Sequence, residues 1–299
     1  MTYRISPETT ILAVLGAGTM GHGIAQIAVA AGFQTRLQDI SEAAIERGRG
    51  RIAAVLDGGV SRGKSSPEAR DAALARLSVT TDLATAVRGA DIVIEAAPER
   101  TELKQQLLAA VHAANPGAIF GTNTSSLSVT AIASASPHPE RVVGMHFFNP
   151  PHIMKLLEVV RGRLTSTEVI DATRTLGAAL GRELIVVSDS AGFATSRLGL
   201  VIGLEAIRML EQGVASAAEI DLAMKSGYRH PMGPLELTDL VGLDVRLAIA
   251  EHLHRELGEV FRPPELLRRL VADGRFGKKS GLGFYDWSSG EARAPADNP

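Results

Sequence analysis

Two side chains in the stretch "GMHFFNPPHIMKLLEVV" (Gly144 to Val160) could move a proton together. His146 interrupts one apolar run, "RVVGMHFF", and Glu158 interrupts another, "KLLEVV". A carboxylate beside an imidazole fixes its tautomer and steadies the imidazolium. Such a pair is what a general base needs when it takes a proton from an alcohol. Pro150 and Pro151 stop the first run, since neither can donate to a strand ladder. If the two runs pair as an antiparallel hairpin centred on His152, His146 and Glu158 stand opposite one another, with Cβ atoms about 4.5–5.5 Å apart. The bland alternative is a buried histidine satisfied by a carboxylate, with no chemistry. A metal held by His146, His152 and Glu158 would have no recognised ligand spacing, and none is expected.

A second constellation lies near the start. "LGAGTMG" places Gly16, Gly18 and Gly21 in a G-x-G-x-x-G turn that leaves a predicted strand and opens a helix. Gly16 permits the tight turn, Gly18 lets a pyrophosphate approach the backbone, and Gly21 lets the helix pack close to the sheet. Thr19 and Met20 begin that helix, whose N-terminus turns N–H groups and a positive dipole end toward phosphates. Asp39 ends the next strand at the interval where an acid can accept from both ribose hydroxyls and repel a 2′-phosphate. The expected cofactor is therefore NAD rather than NADP, bound through Gly16, Gly18, Thr19, Met20, Gly21 and Asp39.

These residues need elements to hold them. "ILAVL" (residues 11–15) and "FQTRLQDI" read as strands flanking a helix, which makes a βαβ unit. Further strand-like runs follow at Leu77–Thr80, Asp91–Glu95, Ala118–Gly121 and Arg141–Phe148, with helical spacing between them. The alternation predicts an α/β fold with a doubly wound, mainly parallel Rossmann-type sheet. Residues 42–76 carry no strand signal and predict an inserted helical hairpin turning near Asp57–Gly59, with Arg47, Arg49, Arg51, Arg62 and Lys64 along it. After "ELIVVSDS" the pattern is helical throughout. The expected division is a nucleotide-binding domain over 1–188, an all-helical C-terminal domain over 189–287 and a flexible tail over 288–299. Leu200, Leu204, Ile207 and Leu210 share one helix face, and the first three are read as burying against a partner subunit in a homodimer.

Composition sets the outer bounds. The chain has 299 residues, 45% hydrophobic and 21% charged, with a formal charge of -2. That balance gives no pull toward nucleic acid or a membrane surface. No cysteine is present, so disulfides and thiolate chemistry are excluded. No apolar run is long enough to span a bilayer, and a cytoplasmic location is expected.

Taken in order, "GAGTMGHGIAQ", "EAAPE", "TNTSSL", "HFFNPPHIMKLLE", "HPMGPLELTDLVGLD" and "GKKSGLGFYDW" resemble the short-chain L-3-hydroxyacyl-CoA dehydrogenases, 3-hydroxybutyryl-CoA dehydrogenases among them. The resemblance runs from Ile11 to about Trp287. It implies NAD-dependent oxidation of an L-3-hydroxyacyl-CoA to the 3-ketoacyl-CoA, with His146 as base and Glu158 as its partner. It implies that Ser125 hydrogen-bonds the reacting oxygen, and that Glu99, Lys104, Asn149 and Lys279 contact NAD. The basic hairpin would then meet coenzyme A, with Lys64 as the favoured contact. Seen without the resemblance, Ser125 reads as a turn residue and Lys104 as part of a solvated face. The family usually has asparagine where this chain has Ser196, whose shorter hydroxyl would take the helping place beside the substrate oxygen. "NPPHI" stands where "NPVP" is commoner. Two rival readings are a related dehydrogenase of a free hydroxy acid and a non-catalytic NAD-binding protein.

Overall fold

Burial of apolar runs builds a sheet whose strand ends converge on one edge. The computed structural model describes residues 3–294, and residues 295–299 of the expected tail lie outside them. In chain order the first unit, Met1–Ser190, holds β1 (Ile11–Leu15), α1 (Thr19–Ala30), β2 (Gln34–Gln38), α2 (Glu42–Ser61), α3 (Pro67–Ala75), β3 (Leu77–Thr80) and α4 (Leu83–Val87). It continues with β4 (Ile92–Glu95), α5 (Thr101–Ala114), β5 (Ile119–Thr122), α6 (Val129–Ala133), β6 (Val142–Phe147), β7 (Leu156–Arg161), α7 (Thr167–Ala179) and β8 (Glu183–Ser188). The eight strands lie in the order β3-β2-β1-β4-β5-β6-β7-β8. All neighbours from β3 to β6 are parallel, β6 and β7 are antiparallel, and β7 and β8 are parallel again. This is the doubly wound, mainly parallel sheet that the strand–helix alternation predicts. Its direction of winding reverses between β1 and β4, where ligands gather in such sheets. Leu12, Val14, Ile92, Ile94 and Ile119 are fully buried, as strands covered on both faces must be.

The inserted hairpin turns later than its glycines suggest. α2 continues through Asp57, Gly58 and Gly59, and its last carbonyls accept from Arg62, Gly63 and Lys64. Gly63, with φ +65°, makes the reversal, and Ser66 then caps α3 ahead of Pro67. A glycine pair weakens a helix without ending it when the far side is packed. Here Ile45, Gly48, Ile52 and Leu56 bury the inner face of α2. Arg47, Arg49, Arg51, Arg62 and Lys64 are all exposed.

The second unit, Ala191–Pro299, is helical: α8 (Thr195–Glu211), α9 (Ala217–Gly227), α10 (Pro234–Val241), α11 (Leu243–Leu257) and α12 (Glu265–Ala272). Leu200, Leu204, Ile207 and Leu210 pack into this unit's own core with Leu235, Leu253 and Phe284. That corrects the reading of this face as a partner-binding surface, because an amphipathic stripe does not say what covers it. Asp239 joins two of the sequence motifs by accepting from the Phe284 and Tyr285 N–H groups and the Trp287 indole. Desolvation by burial pushes its carboxyl above the usual range, against the pull of those donors. Within the segment expected to be a tail, Arg293 exchanges backbone hydrogen bonds with Asp286.

Candidate active site

His146 and Glu158 face each other across the β6–β7 pair, in the register that a hairpin centred on His152 requires. Period-two alternation then puts both side chains on one face of the sheet. Nδ1 of His146 lies 2.9 Å from Oε2 of Glu158. Glu158 is fully buried and His146 is 7% exposed. An ionised carboxylate only accepts, so Nδ1 carries the proton and the basic lone pair resides on Nε2. The ring of Phe148 lies against the imidazole, 4.5 Å between centroids. Asn123 fixes the neighbouring strand ends, its Oδ1 accepting from the Phe147 N–H at 2.9 Å.

The glycine turn follows β1. Gly16 has φ +96°, and a Cβ there would meet the Ala96 carbonyl oxygen at 2.8 Å. A Cβ on Gly21 would lie 1.7 Å from the Gly16 carbonyl oxygen, so α1 touches the turn backbone. A Cβ on Gly18 would meet nothing within 4 Å. Gly18 is also the N-cap of α1 and supplies no side-chain cap. Gly18 and Thr19 are exposed and Met20 is half-buried. Asp39 accepts from the Ala17 N–H through Oδ2 at 2.8 Å and from the Ser41 N–H through Oδ1 at 3.1 Å, which ties the end of β2 to the turn. An open approach at Gly18, uncapped N–H groups and a fixed acid at the end of β2 fit a dinucleotide.

Ser125 lies in the loop after β5, and Glu99 gathers that loop. Oε1 of Glu99 accepts from Thr124 Oγ1 at 2.5 Å, from the Ser125 N–H at 2.9 Å and from the Ser125 hydroxyl at 3.3 Å. Burial opposes charge on Glu99, but the Lys104 ammonium and the Thr124 and Ser125 donors outweigh it and hold its carboxyl below the usual range. Lys104 is fully buried rather than part of a solvated face. Its ammonium is 2.8 Å from Glu95 Oε1, 3.1 Å from Glu95 Oε2 and 3.4 Å from Glu99 Oε2. Glu95 escaped the sequence reading, although an acid closing the apolar run "DIVIE" is the same signal that singles out Glu158.

Asn149 is exposed in the bend after β6, ahead of Pro150. Ser196 lies half-buried in the first turn of α8, and Lys279 ion-pairs with Asp244 at 2.5 Å; both belong to the second unit. Lys64 is exposed beyond α2. The structure thus brings together His146 with Glu158, Gly16 with Gly21 and Asp39, and Ser125 with Glu99 and Lys104.

Residues 11–190 match the model of the 3-hydroxyacyl-CoA dehydrogenase NAD-binding domain, and residues 192–287 match that of the 3-hydroxyacyl-CoA dehydrogenase C-terminal domain. A 3-hydroxyadipyl-CoA dehydrogenase of Escherichia coli is 44% identical over 92% of this chain, which spans only 58% of that relative's length. A probable 3-hydroxybutyryl-CoA dehydrogenase of Bacillus subtilis is 42% identical, over 94% of this chain and 98% of the relative. Among solved structures, an (S)-3-hydroxybutyryl-CoA dehydrogenase from Ralstonia eutropha is 39% identical with a TM-score of 0.90, covering 92% of this chain and 98% of that one. No helix among the described residues is long and apolar enough to cross a membrane.

Proposed function

Because the chain belongs to the 3-hydroxyacyl-CoA dehydrogenase family, we propose that it oxidises an L-3-hydroxyacyl-CoA to the 3-ketoacyl-CoA with NAD, using His146 as the base. The observation that carries the reading is the buried 2.9 Å contact between His146 Nδ1 and Glu158. Nε2 of His146 takes the hydroxyl proton, and Glu158 holds the ring in that tautomer and steadies the imidazolium that forms. Ser125 donates to the reacting oxygen. NAD, when bound, supplies the hydride acceptor. Gly16, Gly18, Thr19, Met20, Gly21 and Asp39 hold its phosphates and ribose, and Glu99 and Asn149 contribute on the nicotinamide side. Lys104 contributes there through Glu99. The exposed cations of the α2–α3 hairpin, Lys64 among them, suit the phosphates of coenzyme A. The absence of cysteine agrees with a cytoplasmic enzyme. Leu198, Leu237, Leu240 and Val245 leave apolar surface exposed on the second unit, which favours a homodimer.

The test compares acetoacetyl-CoA with free acetoacetate as oxidants of NADH. The thioester should be turned over and the free acid should not. Equal rates would move the protein to the rival class of free-acid dehydrogenases. No turnover of either, in protein that binds NADH, would favour a non-catalytic role.

Cofactor choice has its own check. Hydrogen bonds to a charged acceptor are worth about 1.5–3 kcal/mol each. Asp39→Ala should therefore raise the KM for NAD about 10–100-fold and narrow the preference over NADP. Steady-state kinetics with both cofactors decide it, and an unchanged preference would remove Asp39 from selection.

A further inference from the structure

Glu95 is a buried acid that the proposed reaction leaves without a task. It closes β4 and is fully buried. Oε1 accepts from the Ala97 N–H at 2.6 Å and from Lys104 Nζ at 2.8 Å. Oε2 accepts from Thr122 Oγ1 at 2.8 Å and from Lys104 Nζ at 3.1 Å. One carboxylate thereby clamps the loop after β4, the helix α5 and the last residue of β5. Burying an ion pair is a poor route to stability, since both charges lose their water and apolar residues of similar volume often serve as well. What such a pair supplies is a fixed geometry.

That geometry leads to Ser125 by two routes. Lys104 passes from Glu95 to Oε2 of Glu99 at 3.4 Å, while Oε1 of Glu99 collects Thr124, Ser125 and Ser126. Thr122, held by Glu95, is three residues before Ser125 in the same chain segment. The two routes close a ring around the loop. The buried acids of the second unit, Asp221 and Asp239, bond Tyr285 and Trp287 and end in that unit's core.

We propose that Glu95 is a positioning residue for the dehydrogenation, setting the Ser125 hydroxyl through Lys104, Glu99 and Thr122. The proposal rests on the reading that Ser125 donates to the reacting oxygen. Neutralising Glu95 lets the Lys104 ammonium move onto Glu99, which loosens its grip on the loop. A displacement of about 1 Å at a reacting group can cost about 100-fold in rate.

The experiment is a double-mutant cycle of Glu95→Gln and Ser125→Ala, read as kcat and KM with acetoacetyl-CoA and NADH. Ser125→Ala should lower kcat. Glu95→Gln should lower kcat about 10–100-fold, with the KM for the thioester changed less than about twofold. Adding Glu95→Gln to Ser125→Ala should cost less than about threefold more, because coupled groups are not additive. Independent, multiplying losses would overturn the proposal while leaving the role of Ser125 intact. An unchanged kcat in Ser125→Ala would overturn both. If Glu95→Gln does not fold, Thr122→Val removes one of the clamped groups at nearly constant volume and runs through the same cycle. There too, a loss that multiplies with Ser125→Ala would overturn the proposal.

Discussion

His146→Gln should lower kcat by about 10²–10⁴-fold, the usual contribution of a positioned general base, while NADH still binds. Glutamine suits the test because its amide can donate to Glu158, as Nδ1 does at 2.9 Å in the native pair. His146→Ala would instead leave the fully buried Glu158 without that donor. Removing one partner of a buried pair costs about 3–5 kcal/mol, which would mix unfolding with lost catalysis. The glutamine variant separates them because it lacks a nitrogen that can accept the hydroxyl proton. Stopped-flow or steady-state oxidation of NADH with acetoacetyl-CoA gives kcat, and NADH fluorescence gives binding. Turnover within about tenfold of the native enzyme would remove His146 from the reaction. The cofactor-binding turn lies at the ends of other strands, so loss of NADH affinity in this variant would point to misfolding rather than to a missing base.

The parts of the site that were legible in the sequence are those whose geometry follows from periodicity. Alternation along "RVVGMHFF" and "KLLEVV" fixes which residues share a face, and a slip of one residue would have thrown Glu158 to the other side. The apolar run before Gly16 and the acid at Asp39 fix the nucleotide turn in the same way. What stayed hidden depends on partners distant in the chain. Lys104 reads as an ordinary helix lysine until Glu95 and Glu99 supply its two carboxylates. Leu200, Leu204 and Ile207 form an apolar stripe, and only the packing of α8 against its own unit shows what covers it. The glycines at 58 and 59 read as a break, yet the helix runs on because its inner face is buried upstream. Pattern reveals which face is apolar and which residue interrupts it; it does not reveal the long-range partner that makes an interruption tolerable.

Gly21→Ala and Gly18→Ala should fail in different ways, although both change a glycine of one motif to the same residue. A Cβ at Gly21 would sit 1.7 Å from the Gly16 carbonyl oxygen, far inside any contact distance, and the atom it meets is backbone. Relief requires α1 to move off β1, carrying its buried residues Ile24, Ala25 and Ala28 away from the sheet. Overpacking of this kind costs about 1–3 kcal/mol and at times more. For a unit of this size each kcal/mol lowers Tm by about 2–4 °C. Gly21→Ala should therefore melt lower by about 2–12 °C and lose NADH binding as the turn deforms. At Gly18 an added Cβ meets no protein atom within 4 Å, so Gly18→Ala should keep the native Tm within about 2 °C. Its methyl group enters the space through which a pyrophosphate reaches the backbone, and the Kd for NADH should rise about 10–100-fold, or about 1.4–2.8 kcal/mol. Thermal melts with and without NADH measure both quantities on the same samples. Native affinity in Gly18→Ala would mean that the dinucleotide does not approach this turn, and the assignment of Gly16, Gly18 and Gly21 to phosphate binding would have to be abandoned.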